Sequence, residues 1–341
     1  MNKKKNSYYF IFFLFTFCII FLQGCKKKSD SISRTDFFFD TVVTITIYDS
    51  DKTSLLDECF SICNKYEKLF SKTISGSDIS KINQNSKKGI LKTKISNDTA
   101  SIISSSLRYS KLTNGAFDIT ISPLADLWNI ISDNPKVPSQ NEISSCLQRI
   151  DYQKINVNAS ELTLGQNQEI DLGGIAKGYI ADQIKNYLQK QNVKNALINL
   201  GGNVLEIGGK TTSSEFTIGI QYPFKETSDI IAKVKTKNKS IVSSGSYERY
   251  FKKNGKIYHH ILDTSTGYPA DSDLNGVTII SDSSLDGDGL STSCFVLGSK
   301  KGKKLIESLQ GIEAIFISKD NQISVTSGLS YDSSTQIITL K

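Results

Sequence analysis

The sequence predicts an α+β fold in which strands and helices interleave, and three observations lead there. Apolar runs rich in Val, Ile and Thr mark strands at Phe37 to Tyr48, Ala196 to Leu200, Gly276 to Ile280 and Ala314 to Ile317. Stretches with apolar residues at four-residue spacing separate them. The two kinds of element do not follow a strict βαβ rhythm, which sets the chain apart from doubly wound and barrel folds.

At the N-terminus, Lys3, Lys4 and Lys5 precede an apolar run from Tyr8 to Leu22. That run is shorter than the roughly 20 residues that span a bilayer. It ends in Leu22-Gln23-Gly24-Cys25, which is similar to the lipobox of bacterial lipoproteins. The resemblance implies removal of residues 1–24 and acylation of Cys25, and several acyl chains on one cysteine anchor a protein stably. An uncleaved anchor with an incidental cysteine is the alternative, and both readings place the folded part outside the cytoplasm. Residues 25–36 are expected as a lipidated cysteine and hydrophilic tether, and residues 37–341 as the folded domain.

This segment also explains the charge. The chain carries 41 basic and 34 acidic residues, net +7. Three lysines lie before Gly24 and three more, Lys26 to Lys28, follow Cys25, so the globular part is close to neutral. The basic balance is therefore targeting sequence and no sign of nucleic-acid binding. Beyond Cys18 and Cys25 the chain has Cys59, Cys63, Cys146 and Cys294, with no Cys/His spacing that suggests zinc. They read as small buried hydrophobes.

Helices are expected from about Ser54 to Phe70 and from Asp98 to Lys111, where Ile103, Leu107 and Lys111 share a stripe. Ser139-x-x-Glu142 is a capping box that opens a helix to about Arg149. Gly178 to Gln191 carries Ile180, Ile184 and Leu188 on one face.

Four places carry chemistry. Asp171-Leu172-Gly173-Gly174-Ile175-Ala176-Lys177-Gly178 lies between an expected strand and a helix start, where glycines let backbone approach a ligand and the helix offers free N–H groups. It fits neither dinucleotide nor Walker fingerprint, and alone it reads more readily as a structural turn. Asn199-Leu200-Gly201-Gly202-Asn203 ends a buried strand and is either a ligand-facing turn or a tight one. His259 and His260, the only histidines, are adjacent; on a strand they face opposite sides, so at most one enters a given pocket. A histidine there could serve as a base or be purely structural. Asp288 and Thr292, four apart, share a helix face suited to a hard cation, unless Asp288 is a helix N-cap.

Taken in order, these motifs resemble the ApbE family of FAD:protein FMN transferases. The further markers are Asp40 to Thr44, Ser77 to Asn83, Gly115-Ala116-Phe117-Asp118-Ile119-Thr120, and Ser243 to Tyr250. The resemblance extends from about Phe37 to Ile317 and implies a T-fold-related architecture. It implies Mg²⁺ held by the Gly174 carbonyl, Asp288 and Thr292, and His260 as the base. It implies FAD contacts at Phe39, Thr73, Ala116, Phe117, Asp118, Asp171, Lys177 and Leu262. The acceptor would be a threonine of another exported protein. This chain departs from the family in having Phe39-Asp40 where many members have Met-Gly, Gly174 where many have alanine, and Asp263-Thr264 for Asp-Pro. A Mg²⁺-dependent FAD pyrophosphatase would use the same residues with water as the acceptor. A non-catalytic flavin-binding lipoprotein would need neither Asp288 nor His260 for its role.

Overall fold

A computed structural model of the chain describes residues 31–210 and 214–341; the expected signal segment and Cys25 lie outside the described residues. Among the described residues, eight strands form one antiparallel sheet. Their order is Ile32–Phe38, Thr41–Ile47, Ala196–Leu200, Asn203–Ile207, Ser240–Gly245, Leu274–Ser281, Glu313–Ser318 and Ile323–Val325. A second, four-stranded sheet runs Leu329–Asp332, Ile337–Leu340, Ile230–Thr236 and Phe216–Gln221.

Burial explains why some strands read as unbroken apolar runs. Ile279, Ala314 and Phe316 face a core shared with the helices Thr53–Phe70, Ala176–Lys190 and Ser284–Glu307. Their neighbours Ile280, Ile315 and Ile317 face the four-stranded sheet, with Ile220, Val234 and Ile338. A strand covered on both sides has no reason to alternate with polar residues. A third apolar cluster gathers Leu124 and Trp128 of helix Ser122–Trp128, Ile143 of helix Gln140–Leu147, and Leu262. The indole of Trp128 donates to the Gly267 carbonyl at 2.8 Å, which ties this cluster to the histidine segment.

The expected helices are present as Thr53–Phe70, Asn97–Leu112, Gln140–Leu147 and Ala176–Lys190, and the Ser139/Glu142 capping box is formed. Three readings change. The strand expected from Phe37 to Tyr48 is a hairpin whose two-residue turn, Phe39-Asp40, has φ of 55° at both positions. Asn-Gly is the ordinary signal for such a turn and is absent here. Residues 32–36, expected as tether, belong to the hairpin's first strand; their polar side chains pair across it, Ser33 with Thr46 and Thr35 with Thr44. Asp288 is not an N-cap: the helix starts at Ser284 and Ser283 caps it. The four cysteines are free and buried.

Candidate active site

The helices Ala176–Lys190 and Ser284–Glu307 touch at their N-terminal ends, and glycine makes that possible. A Cβ at Gly178 would lie 2.4 Å from the Ser284 carbonyl oxygen and 2.8 Å from Asp288 Cβ. With no side chain in the way, the Gly178 N–H donates to Asp288 Oδ2 at 2.9 Å. Asp288 is 4% exposed. Burial raises its pKa, opposed by Lys177 and by this hydrogen bond. One helical turn on, the Thr292 hydroxyl lies 3.3 Å from that of Ser244, on strand Ser240–Gly245.

The glycine turn is held from several sides. Asp171 Oδ1 accepts from the Gly173 N–H at 2.7 Å, and its N–H donates to the Ile119 carbonyl at 2.8 Å. Asp171 Oδ2 pairs with Lys72 at 2.7 Å, and Lys72 also reaches Asp126 at 2.6 Å. A Cβ on Gly174 would stand 3.3 Å from the Phe117 ring and 4.0 Å from the Thr292 hydroxyl, so the turn packs directly on both. Thr264 donates to the Gly115 carbonyl at 2.6 Å and so joins the histidine segment to the Gly115–Thr120 motif. Asp118 is engaged within the chain: it accepts from the Thr120 N–H and hydroxyl and from the Tyr152 N–H.

The histidines divide as their adjacency suggests. His259 is buried against Phe295, and its Nε2 lies 3.2 Å from the Ala270 carbonyl. His260 is half-buried and places Nδ1 3.3 Å from the Arg249 carbonyl. A carbonyl only accepts, so Nδ1 carries the proton and Nε2 keeps its lone pair. Burial lowers the His260 pKa to about 3, assisted by Arg249 and His259, and the ring is neutral at physiological pH.

All twelve residues expected at the site line one cavity of about 1560 Å³. They are Phe39, Thr73, Ala116, Phe117, Asp118, Asp171, Gly174, Lys177, His260, Leu262, Asp288 and Thr292. Asn199, Gly201 and Gly202 line it too, so that turn is both tight and cavity-facing. Lys72, Glu248 and Arg249 also line the cavity but had no role in the sequence reading. The protein packed round Glu248 raises its pKa against Lys177 and Arg249, and cavity water moderates the rise because the side chain is open to it. Glu248 and Arg249 stood inside a recognised motif, whereas nothing local marks Lys72. Among the described residues Lys177 forms no ion pair, which leaves its charge for a ligand.

The chain is similar to known proteins along most of its length. The family model described as the ApbE family matches residues 39–316. A FAD:protein FMN transferase of Klebsiella pneumoniae is 36% identical over 84% of this chain and 88% of its own length. One from Treponema pallidum is 29% identical over 90% of each. Among solved structures, the ApbE protein of Thermotoga maritima superposes with a TM-score of 0.80 at 30% identity, covering 87% of this chain and 97% of that one. The apo form of the Pseudomonas stutzeri flavinyl transferase ApbE gives 0.76 at 27% identity, covering 87% and 95%.

Proposed function

The chain belongs to the ApbE family and is a flavin transferase, and we propose that it moves FMN from FAD to a threonine hydroxyl of an exported protein, releasing AMP, with Mg²⁺ at Asp288, Thr292 and the Gly174 carbonyl. The observation that carries the reading is the placement of His260 and Asp288 in one cavity. Among the described residues, His260 offers a neutral imidazole with Nε2 free, and Asp288 is a buried carboxyl with a single hydrogen-bond partner.

The residues present fit Mg²⁺. A carboxylate, a hydroxyl one turn along the same helix and a backbone carbonyl are oxygen donors, the kind a hard cation takes. Burial raises the pKa of Asp288, which a cation beside it would reverse. When bound, the ion supplies charge neutralisation for the pyrophosphate.

The protein's own residues do the remainder. Lys177, which forms no ion pair among the described residues, is placed to hold phosphate oxygens, aided by N–H groups at the start of helix Ala176–Lys190. The hydrogen bond from His260 Nδ1 to the Arg249 carbonyl fixes the ring while Nε2 accepts the proton of the threonine hydroxyl. The threonine oxygen forms a bond to the FMN phosphorus, the bond from that phosphorus to the bridging oxygen breaks, and AMP leaves with the electron pair. Positioning and charge account for most of the rate in such transfers.

We further propose that the chain is an exported lipoprotein, acylated at Cys25 and facing the periplasm or cell exterior. The lipobox-like Leu22 to Cys25 supports that reading.

The test incubates the full chain, in detergent, with FAD and Mg²⁺ and separates AMP from free FMN, with and without a threonine-bearing acceptor domain. AMP together with acceptor-bound FMN supports transfer to protein. Equal AMP and free FMN, indifferent to acceptor, would make the chain a pyrophosphatase. FAD bound without AMP release would leave a flavin-binding protein.

A further inference from the structure

Exposed apolar side chains stand among the exposed polar ones, such as Asp40, Asp126, Lys225 and Glu248, that line the cavity. Val42, Ile74, Ile131 and Ile230 line the cavity and are exposed, Ile131 at 64%. FAD seated inside could account for these four. It does not account for three aromatic side chains that stand beside the cavity without lining it. Phe37 is 63% exposed and pairs directly across the hairpin with Val42, so both share one face. Phe224 is also exposed; its ring lies 5.4 Å from that of Tyr250 and 6.2 Å from that of Tyr247, a cavity wall residue. These groups come from separate segments: the edge hairpin of the large sheet, the turn after strand Phe216–Gln221, and the start of strand Tyr250–Lys253. Among the described residues, the remaining large exposed apolar side chains, Ile90, Leu91, Leu112 and Leu340, do not line the cavity.

We infer that this apolar rim, with Phe37 and the Phe224–Tyr250 pair as its outer anchors, is the docking surface for the folded acceptor protein. The inference rests on the flavin-transfer reading above. An acceptor whose hydroxyl reaches His260 at the cavity wall must lay the surrounding part of its own surface over the mouth. An exposed apolar patch around an active site marks such a contact, and aromatic anchors carry a large share of binding energy at interfaces. The partner is accordingly a folded domain that presents apolar surface around its acceptor hydroxyl. Its affinity should persist at high salt, because apolar burial is not screened.

The test uses the full chain in detergent with FAD and Mg²⁺. The probes are a folded domain that the Klebsiella relative flavinylates and a short peptide spanning its modified residue. The double variant Phe37→Ser/Phe224→Ser should lower kcat/KM for the domain at least tenfold, about 1.4 kcal/mol. Transfer to the peptide and AMP release without acceptor should stay at wild-type rates, and Leu112→Ser should change nothing. An unchanged kcat/KM for the domain would overturn the proposal. So would an equal fall with peptide and domain, which would assign the two side chains to the FAD site. Loss of binding to phospholipid vesicles with transfer intact would give the rim to a membrane instead. Wild-type protein that cleaves FAD but modifies neither probe would remove the transfer reading and the rim with it, a result distinct from failure of the double variant alone.

Discussion

The backbone N–H of Gly178 donates to the carboxylate of Asp288 across 2.9 Å, and this bond joins the glycine turn to the helix that carries Thr292. It exists only because residue 178 has no side chain. Gly178→Ala should push the helices apart, costing about 1–3 kcal/mol of stability by overpacking and abolishing the proposed Mg²⁺-dependent AMP release. Gly174→Ala meets the Phe117 ring at 3.3 Å and the Thr292 hydroxyl at 4.0 Å, no backbone, and should keep most activity. Denaturant unfolding and AMP chromatography on both variants check the contrast. A Gly178→Ala protein with wild-type stability would show that the close approach is not required.

Asp288→Asn separates charge from packing. The amide oxygen can still accept from Gly178, so the fold should hold with an unchanged unfolding midpoint. Mg²⁺ should no longer raise that midpoint in the presence of FAD, and AMP release should fall about a hundredfold or more. Differential scanning fluorimetry with and without Mg²⁺ reads the first effect directly.

Neighbouring histidines should give opposite phenotypes. His260→Ala removes the proposed base, so transfer should fall at least about a hundredfold while FAD binding by equilibrium titration is spared. His259→Ala opens a gap beside Phe295 and removes the contact with the Ala270 carbonyl. It should cost about 2 kcal/mol of stability and leave transfer largely intact. Reversal of these phenotypes would exchange their roles.

The division between what the sequence reveals and what it hides follows from locality. Doubly covered strands such as Leu274–Ser281, and helices with their own caps such as Gln140–Leu147, are written in neighbouring residues. The paired glycines of Asp171–Gly178 and the four-residue step from Asp288 to Thr292 are likewise local and point to the cavity that both line. The hairpin turn at Phe39-Asp40 lacks turn residues, so alternation alone runs straight through it. Lys72 is invisible for another reason: its partners Asp126 and Asp171 come from distant parts of the chain and only the fold assembles them.

That assembly makes Lys72 testable. Its ammonium bridges two carboxylates at the cavity wall, with a quarter of the side chain exposed. Lys72→Met keeps the length and removes the charge, leaving the Asp171 carboxylate, among the described residues, with only the Gly173 N–H. The turn should loosen, with FAD affinity falling several-fold and stability by about 1 kcal/mol. Fluorescence titration of FAD against the variant measures the first effect; unchanged affinity would make the bridge irrelevant to the ligand.

Outside the cavity lining, Glu206 makes the stability of the fold depend on pH. Its side chain is buried in strand Asn203–Ile207, where Oε1 accepts from the Thr236 hydroxyl at 2.9 Å and Oε2 from the Lys239 N–H at 3.2 Å. Burial nonetheless raises its pKa to about 7. A raised folded-state pKa means that the native state holds a proton which the unfolded chain releases near 4.5. Its contribution is therefore complete below pH 4.5 and is lost as pH rises through about 7. The histidines act in the other direction. Burial lowers the folded pKa of His259 to about 4 and of His260 to about 3, so their contribution is present above 6.5 and lost as pH falls through those values. Glu206→Gln keeps the shape and removes the titration. Relative to wild type it should gain stability as pH rises from 5 to 8, by roughly 3 kcal/mol at most. Urea unfolding at both pH values measures the difference, and an equal wild-type-to-variant gap at both would mean that Glu206 is already ionised in the folded protein at pH 5.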